Sequence, residues 1–172
     1  MKTQIARVSL IACLLALGTF PVSADHVLMV RAQLAGWQEA PVVSTGASGE
    51  FEAWLESDGT LSYQLRYQGL EGGTVLFAHI HLAQPSVNGA VMTFLCGGGT
   101  KPTACPGPDG EVTGTIAAAD IQAIGTQQLP AGGYDEFLNA LRQGLAYVNV
   151  HTTASPGGEI RGQVDARGDS RD

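Results

Sequence analysis

The chain has 172 residues, 44% of them apolar and 15% charged, with a formal net charge of -7. That apolar content excludes a disordered chain, and the length allows one ordinary domain. The nine Lys and Arg are scattered and form no basic stripe, which excludes nucleic acid and anionic membrane surfaces as partners.

Lys2 and Arg7 give the chain a basic start, residues 8–20 are almost wholly apolar, and Val22-Ser23-Ala24 is a small-residue cleavage site. This is the layout of a signal peptide over residues 1–24, predicting cleavage near Ala24 and a secreted or periplasmic chain from Asp25. The apolar run is shorter than the ~20 residues a spanning helix needs, so no membrane span is expected. Leu10-Ile11-Ala12-Cys13 has the form of a lipobox, but the apolar run continues past Cys13 to Phe20, so lipid anchoring at Cys13 is not expected. Cleavage removes Lys2 and Arg7 and leaves 7 basic against 16 acidic residues, a net charge of -9.

Short apolar stretches and turns then alternate, and the 23 Gly and 8 Pro fit an all-β domain. Strands are predicted over 27–37, 49–56, 61–67, 74–82, 90–95, 111–116, 146–152 and 159–164. Asp58-Gly59 is a hairpin signal, and Ser155-Pro156-Gly157-Gly158 joins the last two strands. Leu61, Tyr63, Leu65 and Tyr67 alternate strictly with Ser62, Gln64, Arg66 and Gln68, the pattern of a half-buried strand. A helical turn capped by Asp120 is predicted over 120–124. A short helix is predicted over 135–143, with Phe137, Leu138 and Leu141 on one side and Gly144 as its stop. The predicted fold is one antiparallel β-sandwich over 25–166 with a short helical insertion before the last hairpin, followed by a polar tail over 167–172.

Once Cys13 is removed, only Cys96 and Cys105 remain, and in an oxidising compartment they are expected to pair. The clasp closes a loop rich in Gly and Pro that cannot pack for itself, and contributes roughly 2–3 kcal/mol. A thiolate metal site is the rival, but the spacing is not CxxC.

The four histidines are His26, His79, His81 and His151. The period of two puts both imidazoles of His79-Ile80-His81 on one strand face, opposite the core set Leu76, Ala78, Ile80 and Leu82. In 146–151 the inward set is Ala146, Val148 and Val150, leaving Tyr147, Asn149 and His151 on the outer face. Two imidazoles so spaced can chelate one ion, and His151 completes a three-histidine site if its strand lies alongside. Satisfied core histidines or solvated surface ones are the alternative. His26 would follow the mature amino terminus, where it is a candidate fourth donor. Met29 and Met92 read as core filling, with a thioether ligand to copper as the alternative. Glu159 and Arg161 share a strand face and read as a structural ion pair or rim charges, because no nucleophile or base accompanies them. Ser62, Ser86 and Ser155 lack a His–Asp context, and Gly97-Gly98-Gly99 has no strand-to-helix context for a phosphate.

Ala78-His79-Ile80-His81, Asn88-Gly89, Phe94-Leu95-Cys96, Gly114-Thr115-Ile116, 147–152 and 156–163 together resemble a CHRD domain, the module named after the animal protein chordin. The resemblance covers roughly residues 27–164, and its closing segment is the most specific part. It implies an exported single-domain protein of the bacterial type; the growth-factor role of the animal protein does not carry over, since its cysteine-rich modules are missing here. A more distant likeness is to the copper-zinc superoxide dismutases. It implies a Greek-key β-sandwich in which His79, His81 and His151 hold copper on the outside, with Arg161 as the loose counterpart of a catalytic arginine. No counterpart of the bridging histidine or of the other zinc ligands is present, so a zinc half-site is not expected.

The leading expectation is a metal-binding protein using His79, His81 and His151, with copper favoured and zinc second, and with Tyr147, Asn149, Glu159 and Arg161 around the site or at its rim. A non-catalytic interaction module whose outer face binds a protein or glycan is the first alternative. A copper-only superoxide dismutase is the second.

Overall fold

The computed structural model describes residues 28–167. The expectations for the signal peptide, Cys13 and His26, and for the tail beyond Arg167, lie outside these residues.

Apolar side chains at every second position pull each strand onto a shared interior. The nine strands are β1 (Met29–Ala35), β2 (Ser48–Leu55), β3 (Leu61–Gln68), β4 (Val75–Leu82), β5 (Ala90–Cys96), β6 (Gly110–Ile116), β7 (Ala146–Thr152), β8 (Ile160–Gln163) and β9 (Asp165–Arg167). All pairings are antiparallel, in the order β5-β4-β7-β8-β1-β2-β3-β6, with β9 alongside β1. β8 lies between β7 and β1, pairing with β1 at Ala35–Arg161, and after Val164 the chain continues along β1 as β9. The expected antiparallel β-sandwich is what forms.

The alternation in β3 behaves as its pattern demands, with Leu61, Tyr63, Leu65 and Tyr67 buried against Phe51, Ile80, Ile116, Val148 and Ile160. The outer edges, β5 and β6, approach each other and leave the sandwich nearly closed. The Tyr63 hydroxyl donates to the Leu95 carbonyl at 2.8 Å across this seam. The Cys96–Cys105 disulfide anchors the loop that leads from β5 towards β6. With both sulfurs bonded to each other, the thiolate-site alternative is closed.

The helical insertion is α1 (Tyr134–Arg142), which buries Phe137, Leu138, Ala140 and Leu141. Asp135 and Glu136 in its first turn and Arg142 in its last match the helix dipole. Gly144 stops it through a Schellman pair: its N–H reaches the Leu141 carbonyl and the Leu145 N–H reaches that of Ala140.

Three local expectations need correction. Asp120 ends a 3-10 turn (Ala118–Asp120), and its carboxylate accepts from the Ala117 N–H and from Lys101. The first strand stops at Ala35, because the next residues wind into a 3-10 turn that leaves Trp37 70% exposed. Met29 is not core filling but sits on the outer face of β1 at 39% exposure, whereas Met92 is fully buried in the core, as core filling requires.

Candidate metal centre

Strand pairing assembles the site. β4 and β7 are direct neighbours, in a register that sets Phe77 against His151, His79 against Asn149 and His81 against Tyr147. His151 therefore lies diagonally across from His79, within reach of an imidazole. The ring centroids of His79 and His81 are 4.4 Å apart, as are those of His79 and His151, while His81 and His151 are 6.5 Å apart. One nitrogen from each ring falls within 4.8 Å of the others.

The face carrying these rings points away from the core, yet it is not the solvated surface that alternation suggests. His79, His81 and His151 are 3%, 8% and 6% exposed, and every residue of β7 is buried. Aromatic rings pack around the imidazoles. Phe77 lies 5.2 Å from His79 and 4.7 Å from His151, and Phe94 meets His79 edge-on. Tyr147 stacks on His81 at 4.4 Å, and the Arg161 guanidinium stacks on Tyr147 at 3.4 Å.

Two loops roof this stack. Arg161 donates to the Val87 carbonyl at 2.7 Å and to the Asn88 side chain at 3.1 Å. Asn88 donates in turn to the Ala40 carbonyl at 2.8 Å, and Asn149 donates to Glu39 at 2.6 Å. Glu39 is a member of this network that sequence reasoning missed; one acidic residue before Ala40-Pro41 carries no periodic signal. Burial pushes its carboxyl up to about 7, against the opposing pull of Arg161 and of the Asn149 hydrogen bond.

Hydrogen bonds assign the tautomers. His81 Nδ1 lies 2.9 Å from the Gly89 carbonyl, and His151 Nδ1 lies 2.9 Å from that of Pro156. A carbonyl only accepts, so each Nδ1 carries the proton and each Nε2 carries a lone pair. Those two Nε2 atoms and Nδ1 of His79 are buried with no hydrogen-bond partner. Burial also holds the rings neutral. His79 is pushed down to about 2 by burial, with its two histidine neighbours adding to the shift. Burial takes His81 down to about 4 and lowers His151 as well.

Buried polar atoms left without partners are costly unless something meets them. Three neutral imidazole nitrogens facing one another fit a transition-metal ion. Three nitrogens spread around a common ion at ~2.0–2.1 Å lie about 3.3–3.6 Å apart, so from 4.8 Å the rings need close by up to about 1.5 Å.

Glu159 and Arg161 do not form the expected ion pair, and neither is a rim charge: both are 1% exposed. Glu159 precedes β8, and four donors take its carboxylate: the Glu71 and Gly72 N–H groups at 2.7 and 2.9 Å and the Thr45 and Thr152 hydroxyls at 3.0 and 2.7 Å. Burial would raise this carboxyl, but the donors together hold it below the usual carboxylate range.

Gly158 sits beside the Asn149–Glu39 bond at φ +123°, and a Cβ there would collide with Asn149 Nδ2 and Glu39 Oε1. Gly158→Ala is therefore expected to lower the unfolding free energy by about 1–3 kcal/mol, read from urea denaturation.

Among the described residues no helix is long and apolar enough to cross a membrane. No curated protein and no solved structure matches the chain. The sequence model of the CHRD domain does match, over residues 30–164, which takes in β1 from its second residue, every strand from β2 to β8 and all three clustered histidines. The chain belongs to the CHRD-domain family.

Proposed function

We propose that this CHRD domain works outside the cytoplasm as a binder of one transition-metal ion, copper before zinc, held by His79, His81 and His151. One observation carries the reading: three buried imidazoles bring one nitrogen each within 4.8 Å of the others, and each ring has a buried nitrogen with no hydrogen-bond partner. The order of metals follows the Irving–Williams series, in which nitrogen sites hold copper above zinc. The signal-peptide layout of residues 1–24 and the disulfide support export.

Binding suits this geometry better than the alternatives. A docking face made of Tyr147 and the histidines would have to be accessible, and those four side chains are at most 8% exposed. A dismutase needs a route for superoxide and a cation to guide it, whereas Arg161 is held by Val87, Asn88 and Tyr147 at 1% exposure.

The test is metal retention by the metal-stripped full-length mature protein. After loading with excess copper and desalting, one equivalent is expected to remain. A His79→Ala/His81→Ala variant is expected to bind at least ~100-fold more weakly, since two of its three donors are gone. Equal retention by wild type and variant would remove the reading and point instead to the Asp25-His26 terminus.

A further inference from the structure

We infer that the three-histidine centre selects monovalent over divalent copper. This rests on the metal-binding reading and goes on to name the oxidation state of the cargo.

The donor set comes first. Among the described residues the cluster consists of three histidines, with no carboxylate or thiolate beside them. Divalent copper prefers four or more donors in a tetragonal array. Monovalent copper has a filled d shell and no such geometric demand, so three nitrogens satisfy it. His79 offers Nδ1, while His81 and His151 offer Nε2, and strand pairing and the Gly89 and Pro156 carbonyls hold the rings in place.

Charge acts in the same direction. The Born cost of burying an ion grows with the square of its charge, so a dication is about four times as costly to desolvate as a monocation of equal size. Neutral imidazoles offset none of that charge. The closest formal charge in the stack is itself positive: Arg161 lies 3.4 Å over Tyr147, which is stacked on His81. The carboxylate of this network, Glu39, is bonded to Asn149 and set against Arg161.

The wall completes the argument. Phe77, Phe94 and Tyr147 pack directly on the imidazoles, and the donor nitrogens are buried. Phe77 and Phe94 carry no donor atom, so their side of the wall contributes no anionic or oxygen ligand to fill the extra positions that a divalent ion requires. It also shields a monovalent ion from oxidants.

The experiment is a pair of competition titrations on the metal-stripped mature chain: Cu(I) against bicinchoninate without oxygen, and Cu(II) against nitrilotriacetate. A preference of ~1000-fold for Cu(I) is expected, which at 59 mV per tenfold raises the potential of bound copper by about 180 mV above the aqueous couple. Phe77→Ala, which opens the wall but keeps all three donors, is expected to reduce that ratio at least tenfold. Equal or tighter Cu(II) binding by the wild type would overturn the inference while leaving the metal-binding reading intact. An unchanged ratio in Phe77→Ala would overturn the role given to the wall. Binding of neither copper ion would sink the metal-binding reading itself.

Discussion

Glu159→Gln is expected to lower the unfolding free energy by about 3–5 kcal/mol, among the largest losses any single substitution in this chain should produce. The carboxylate takes four donors and offers none, and it ties together Thr45, Glu71, Gly72 and Thr152, which come from three separate stretches of the chain. Glutamine turns an N–H₂ group towards donors that have no other use for it. At least one buried N–H or hydroxyl then loses its partner, and the charge that strengthened the other bonds is gone. The check is the urea midpoint at unchanged slope. Glu50→Gln, at an exposed pair with Gln33, is the control and should stay within about 0.5 kcal/mol. A loss at Glu159 no larger than the control's would mean that the clamp contributes nothing.

Acid should unfold the metal-stripped protein far more readily than its carboxylates alone would suggest. The unfolded histidines titrate near 6.5, whereas in the fold burial takes His79 down to about 2 and His81 to about 4 and lowers His151 too. Below pH 6.5 the unfolded chain binds protons that the folded chain refuses, so stability falls as the pH falls. Each histidine contributes at most about 1.4 kcal/mol per pH unit until its folded value is reached. Glu39 acts in the opposite sense. Its carboxyl is raised from 4.5 to about 7, so between those values the folded state holds the extra proton and gains stability as the pH drops. His79 and His81 against Glu39 leave a net slope of about 1.4 kcal/mol per unit between pH 6 and 5, to which the lowered His151 adds in the same direction. Below about 4.5 the Glu39 offset ends, and the lowered carboxyl of Glu159 adds its own loss. Urea midpoints of the stripped protein across pH 5–7.5 test this, and a flat profile would contradict the neutral-cluster account.

What could be read from the chain was whatever repeats locally. The alternation of Leu61, Tyr63, Leu65 and Tyr67, the helix stopped by Gly144 and the shared face of His79 and His81 are each contained within a few residues. The partnership of His151 with that face depends on β4 pairing with β7, some seventy residues away, and no local pattern encodes it. Exposure was misjudged for the same reason. Tyr147, Asn149 and His151 sit at alternate positions, as outer residues do, and become buried because Glu39, Ala40, Val87 and Asn88 arrive from loops without periodicity. Glu159 and Arg161, two positions apart, read as partners; in the fold each has a separate set of contacts.

Met29, where the first strand opens, is paired with Arg167, where the last one closes. Entrance and exit of the domain are thus neighbours at one end of β1. A polypeptide that leaves where it came in can be spliced into a surface loop of another protein without prising the host apart. The same closeness permits circular permutation: a short linker between the Met29 and Arg167 ends, with new ends cut in the exposed turn at Asp58-Gly59, should return the same sandwich.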